Sequence, residues 1–179
     1  SLSPDGKTVA VRNENPLFEP FDVWLLDVLR GTRSRFTSEP ATASHIWSPD
    51  GSRIVFSSPR HGNWDLYQKA TNGTAQKEPL LKSNESKTPW DWSWDGRYLI
   101  YDDHHPTQRQ DLWVISVNED RRPIPFLVSP ADETSGQFSP DSKKIALVDS
   151  FRRRWCVGLA TKEQTEVEQD HYQMRSGEM

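Results

Sequence analysis

Trp47–Ser58 reads WSPDGSRIVFSS, a tight turn followed at once by a strand. Pro49 presets φ near −65°, the Asp50 carboxylate can accept nearby backbone N–H groups, and Gly51 tolerates positive φ. Ile54 and Phe56 then alternate with smaller or polar neighbours, the period-two pattern of a half-buried strand. A single string of this kind is an ordinary surface turn. Here it recurs as Ser3-Pro4-Asp5-Gly6, Ser93-Trp94-Asp95-Gly96 and Ser139-Pro140-Asp141-Ser142, and the successive serines stand 45, 45 and 46 residues apart. Trp47, Trp92 and Phe138 precede three of the copies. Val9, Ile54, Leu99 and Ile145, then Val11, Phe56, Tyr101 and Leu147, follow at matched offsets.

A second signature lies further along each unit. Asp22-Val23-Trp24, Asp65-Leu66-Tyr67 and Asp111-Leu112-Trp113 open a third strand, and Phe36, Leu81 and Leu127 mark a fourth. Gly31, Asn72-Gly73 and Asn118-Glu119-Asp120 supply the turns between them. Four short strands at a period of about 40–45 residues are the arithmetic of a β-propeller blade. The fold class expected is therefore all-β: four-stranded antiparallel blades on a ~45-residue repeat, forming an incomplete arc of about four. Units start near residues 3, 48, 93 and 139 and occupy 1–150, leaving 151–179 as a degenerate blade or a disordered tail.

Bulk properties agree. Only 34% of the 179 residues are hydrophobic but 11% are aromatic, including eight Trp, which suits many short strands better than Leu- and Ala-rich helices. A net charge of −4 provides no global field for nucleic acid, and no apolar stretch approaches membrane-spanning length. Cys156 is the only cysteine, so neither an intrachain disulfide nor a multi-thiol zinc site can form. The basic triplet Arg152-Arg153-Arg154 reads as a solvated loop at least as well as a phosphate site.

The strings [Trp/Phe]-Ser-Pro-Asp-Gly, Arg-Ile-Val-Phe-Ser-Ser and Trp-Asp-Leu-Tyr resemble the WD40-like (PD40) repeat of TolB-like propellers across Ser3 to Ser150. Through Asp22–Thr37 and Trp47–Ser58 the chain is most similar to the C-terminal propellers of bacterial serine/threonine protein kinases. That resemblance implies further blades in a longer parent chain, a periplasmic or other extracytoplasmic location, and a protein or peptidic envelope ligand. Departures are local: Trp94 replaces Pro, Ser142 replaces Gly, and after Ser150 Cys156 and Gly158 stand where the third-strand Asp and aromatic are expected. The chain opens inside a unit and reads as a piece of a longer protein.

No catalytic constellation appears. G-x-S-x-G, a Gly-rich phosphate loop, H-R-D, D-F-G and H-E-x-x-H are all missing, and no cofactor is implied. Asp102-Asp103-His104-His105 is the one suggestive polar run. Asp103, His104 and His105 are candidates for a divalent metal or for pH sensing, but adjacent strand residues point to opposite sides, and a solvated loop is the favoured reading. Asp5, Asp50, Asp95 and Asp141 are explained by their turns, and Asp22, Asp65 and Asp111 by strand or inter-blade hydrogen bonds. Trp90, Trp92 and Trp94 at two-residue spacing are expected on one strand face, in core packing rather than in stacking a sugar or base. The function expected is a non-catalytic binding module, the sensory or scaffold part of a kinase-linked protein. The alternatives are the gating propeller of a prolyl-oligopeptidase-like serine peptidase and a free-standing periplasmic TolB-like protein.

Overall fold

A computed structural model describes residues 1–13, 22–37, 44–60, 62–73, 76–104, 110–118, 120–127, 132–149 and 154–159. His105, Arg152, Arg153 and the stretch 161–179 lie outside them. The first sheet holds β1 (Thr8–Asn13), β2 (Asp22–Asp27) and β3 (Arg33–Arg35). The second holds β4 (His45–Trp47), β5 (Arg53–Arg60), β6 (Asn63–Ala70) and β7 (Glu78–Leu81). The third holds β8 (Ser86–Trp92), β9 (Tyr98–His104), β10 (Gln110–Ser116) and β11 (Pro123–Leu127), and the fourth β12 (Glu133–Phe138), β13 (Lys144–Asp149) and β14 (Arg154–Leu159). Each sheet is antiparallel and ordered as in the chain, β4-β5-β6-β7 being the complete pattern. On the inner side of the first sheet Leu2 forms an antiparallel bridge with Val9.

All four turns close with one hydrogen-bond set. The serine hydroxyl donates to the aspartate carboxylate, at 2.7 Å for Ser3–Asp5, 2.5 Å for Ser48–Asp50, 2.7 Å for Ser93–Asp95 and 2.6 Å for Ser139–Asp141. The same hydroxyl accepts the N–H five residues on, from Thr8, Arg53, Tyr98 and Lys144. The carboxylate accepts the N–H two residues beyond it, from Lys7, Ser52, Arg97 and Lys143. This geometry forces positive φ on the fourth turn residue: 71° at Gly6, 70° at Gly51, 74° at Gly96 and 59° at Ser142. Of these four positions, Ser142 alone bears that conformation with a Cβ.

Strand alternation then directs side chains to opposite neighbours. Ile54, Phe56 and Tyr67 of the second sheet pack with Ala10, Val23 and Phe36 of the first, Phe36 meeting Phe56 edge-on at 6.4 Å between ring centroids. Val55, Leu66 and Leu80 point the other way, onto Trp92, Leu99, Tyr101 and Ile115 of the third sheet. Ile100, Leu112 and Val114 continue onto Phe138, Ile145 and Leu147 of the fourth. Each large side chain buried in this way contributes about 1.5–3 kcal/mol. The inner strands β4 and β8, and β8 and β12, also touch, while among the described residues no comparable contact joins the outer strands β3, β7 and β11. Sheets that converge at one edge and diverge at the other are the blades of an incomplete propeller arc.

Two local expectations change. Trp90, Trp92 and Trp94 do not share a face: β8 bulges between Pro89 and Asp91, so Trp90 packs toward the fourth sheet and Trp92 toward the second, while Trp94 is 63% exposed in its turn. Asp102, Asp103 and His104 are the last residues of β9 rather than a loop, paired with β8 and β10. In the second blade the second and third strands pair to their ends, Arg60 opposite Asn63.

The turn geometry sets two expected outcomes. Gly51→Ala should lower unfolding free energy by about 1–2 kcal/mol through backbone strain alone, since its Cβ would meet only Pro4 Cδ at 3.7 Å, while Ser142→Gly should raise it by up to about 1 kcal/mol. Urea midpoints at constant m-value measure both. The Ser48 hydroxyl and Ser52 N–H hold the Asp50 carboxyl down at about 2, below its ordinary 3.8. That stabilisation is complete above pH 4 and is lost as pH falls toward 2. Ser48→Ala should therefore flatten the acid limb of the stability profile.

Candidate functional site

The arc has two unlike ends. At one end the Ser-Pro-Asp-Gly turns form a row, in which Pro4 adjoins Gly51 and the Asp95 N–H donates to Ser142 Oγ at 3.3 Å. The aspartate carboxylates here hold the turns. Asp5 and Asp141 are lowered chiefly by the serine hydroxyls, and at Asp95 the Ser93 and Arg97 bonds outweigh an opposing desolvation.

At the opposite end, where inner strands begin and second strands hand over to third, the polar residues differ from blade to blade. In the first blade Asp22 is 7% exposed and pairs with Arg35 at 2.8 Å, while Arg35 Nε donates to the Thr37 carbonyl and Thr37 Oγ1 accepts the Val23 N–H. In the second, Asp65 is 2% exposed and accepts the Ser83 N–H at 3.2 Å. Lys87, 2% exposed at the start of β8, donates to Ser83 Oγ and to the Glu85 carbonyl. Burial pushes its ammonium pKa down, opposed by the carboxylates of Asp103, Asp65 and Glu85. The third-strand Asp of one blade thus faces a cation at the inner edge of the next, and Ser57 Oγ donates to the Lys87 carbonyl across the same interface at 2.8 Å. Lys87 was not legible in the sequence: a lysine in an alternating strand ordinarily points to solvent, and no spacing rule brings it beside Asp65.

The run ending β9 separates as strand alternation requires. Asp103 faces Lys87, whereas Asp102, 1% exposed, points the other way and accepts Trp90 Nε1 at 2.8 Å. His104 is exposed and His105 lies outside the described residues. Among the described residues no group of three His, Cys, Asp or Glu side chains is placed to hold a metal. On the inner edge, Asp91 accepts the Phe138 N–H at 2.7 Å and staples the third blade to the fourth. Asp111 sits in β10 beside Asp103, and Trp24 and Trp113 occupy third strands with Tyr67. No helix among the described residues is long and apolar enough to cross a membrane.

Set against known proteins, this is the fold of TolB-like propellers. The structure of TolB from Acinetobacter baumannii superposes with a TM-score of 0.73 at 23% identity, over 88% of this chain and 39% of that one. Putative TolB from Agrobacterium tumefaciens gives 0.74 at 22% identity, over 88% and 58%. A prolyl endopeptidase structure gives 0.65 at 13%, over 88% of this chain and 25% of that one. No family model matches the sequence. An uncharacterized protein of Agrobacterium fabrum is 26% identical over 117 residues, 65% of this chain. The chain spans about two fifths of that relative's length.

Burial raises the Asp102 carboxyl from its ordinary 3.8 to about 6, against hydrogen bonds from Trp90 and Thr88. The ionised form is the disfavoured one in the folded state. Its cost is fully present above pH 6 and is relieved as pH falls through 6 toward 4. Asp102→Asn keeps an acceptor for Trp90 and removes the charge. It should raise stability at pH 7.5 by about 1–3 kcal/mol and reduce the pH 4–6 dependence in denaturation profiles.

Proposed function

We propose that the chain is a non-catalytic binding module, the sensory or scaffold part of a larger, kinase-linked bacterial protein, held outside the cytoplasm. The observation that carries the binding role is a fixed sheet frame whose side chains change from blade to blade at equivalent positions, as at Thr8, Arg53 and Tyr98. A rigid scaffold carrying variable side chains is the usual setting of a binding surface. The ligand class that fits is another protein or a peptidic envelope component. The kinase linkage rests on the resemblance of Asp22–Thr37 and Trp47–Ser58.

Two other readings have their own support. The TM-score of 0.65 to a prolyl endopeptidase favours a propeller that gates a peptidase, and the likeness to TolB structures favours a free-standing periplasmic protein. The reading frame surrounding this chain separates the three. A kinase domain upstream is the expected result. A downstream α/β-hydrolase domain with a serine nucleophile, or a leader peptide followed only by blades, would overturn the kinase linkage.

A further inference from the structure

Each inter-blade boundary contains the same position near its turns, where the residue opening the second strand of one blade meets the aromatic ending the inner strand of the next. Between the second and third blades these are Arg53 and Trp92. The Arg53 guanidinium lies 5.3 Å over the Trp92 ring, Nη1 donates to Gln68 Oε1 at 3.2 Å, and its charge lowers the Asp50 carboxyl. Trp92 is left only 4% exposed. Between the third and fourth blades Tyr98 takes the arginine's place and packs into the cluster around Phe138.

Between the first and second blades the position is not filled. Thr8 stands where Arg53 would, Leu25 stands where Gln68 would, and Trp47 remains half-buried. An open cleft of about 250 Å³ results, lined by Asp5, Thr8, Leu25, Trp47, Asp50 and Thr71. Thr8 is shorter than arginine by the group that covers the indole one blade further on.

We propose that this cleft receives an arginine side chain from a partner protein, laid over Trp47 with Asp5 and Asp50 as counter-charges. The repeat itself states the ligand chemistry, because Arg53 on Trp92 is the filled form of the same site. A guanidinium is planar, stacks on indole and is weakly hydrated, whereas an ammonium is compact and strongly hydrated. The volume lies below the roughly 300–1,000 Å³ of small-molecule pockets, so one side chain fits it better than a cofactor. Lys7 Nζ stands 3.8 Å from Asp5 Oδ2, but it is 69% exposed, and such a surface pair yields readily to a better-placed cation. The identity of the partner rests on the binding-module reading above; the guanidinium site does not.

The test is titration of the full chain with N-acetyl-arginine amide, followed by NMR at the Trp47 indole N–H. The resonance is assigned with Trp47→Phe. Saturable shifts are expected, with the citrulline amide, neutral and of the same shape, inactive. Thr8→Arg should supply the group internally, move the Trp47 resonance without ligand and weaken binding about tenfold or more. Thr8→Tyr, copying the third boundary, should block the cleft as well and guards against one misfolded variant. Equal shifts with citrulline amide, no shift at all, or binding unchanged in both variants would overturn the site. Tighter binding of free arginine than of the blocked amide would overturn the protein partner while leaving the site. A hydrolase or leader peptide in the surrounding reading frame would overturn the kinase linkage and leave both standing.

Discussion

The hydrogen bond from a serine hydroxyl to the carboxylate two residues later is the constraint from which the blades follow. Ser3–Asp5, Ser48–Asp50, Ser93–Asp95 and Ser139–Asp141 repeat it within 2.5–2.7 Å, and in each case both groups also accept backbone N–H donors. The turn therefore arrives preassembled, with the inner strand and the second strand in one register. A slip of one residue would exchange every inward and outward side chain. That is why the same Val, Ile or Leu offset works in all four units.

Register determines what each sheet offers its neighbours. In the second blade Ile54 and Phe56 serve one interface and Val55 and Leu66 the other, with Tyr67 facing the first, so the two middle strands are buried on both faces. A lone blade would leave both sets of side chains in water, and stacking is the condition for the core to exist. Polar groups cross the same boundaries: Ser44 Oγ donates to the Pro89 carbonyl at 3.1 Å, and Lys69 Nζ donates to the Phe36 carbonyl at 2.6 Å. Packing and hydrogen bonding bind successive blades by independent means.

Against this regular frame the departures acquire meaning. The bulge at Trp90 turns one indole toward Asp102 and leaves Trp92 for the opposite interface. Lys87 enters the boundary of the second and third blades as a buried cation among Asp65, Asp103 and Glu85. Thr8 leaves open what Arg53 and Tyr98 close. Each is a local change within a frame held by the repeat, which lets chemistry vary while the arc is kept.

The sequence by itself determined the repeat, the four-strand order of a blade, the turn chemistry and the alternating core set. These depend on short-range geometry, in which residues within about ten of one another fix a turn and a period-two pattern. Where the local rule was incomplete the sequence misled: the two-residue spacing of Trp90, Trp92 and Trp94 predicts a shared face, and an extra residue in one strand cancels it. Only the tertiary structure decided that Lys87 meets Asp65, that Asp102 and Asp103 belong to different interfaces, and that a cleft opens beside Trp47. Those outcomes depend on which side chain of one blade stands opposite which side chain of the next. Residues some 45 positions apart meet only after the blades stack, and no local spacing encodes the gap left when one of them is short.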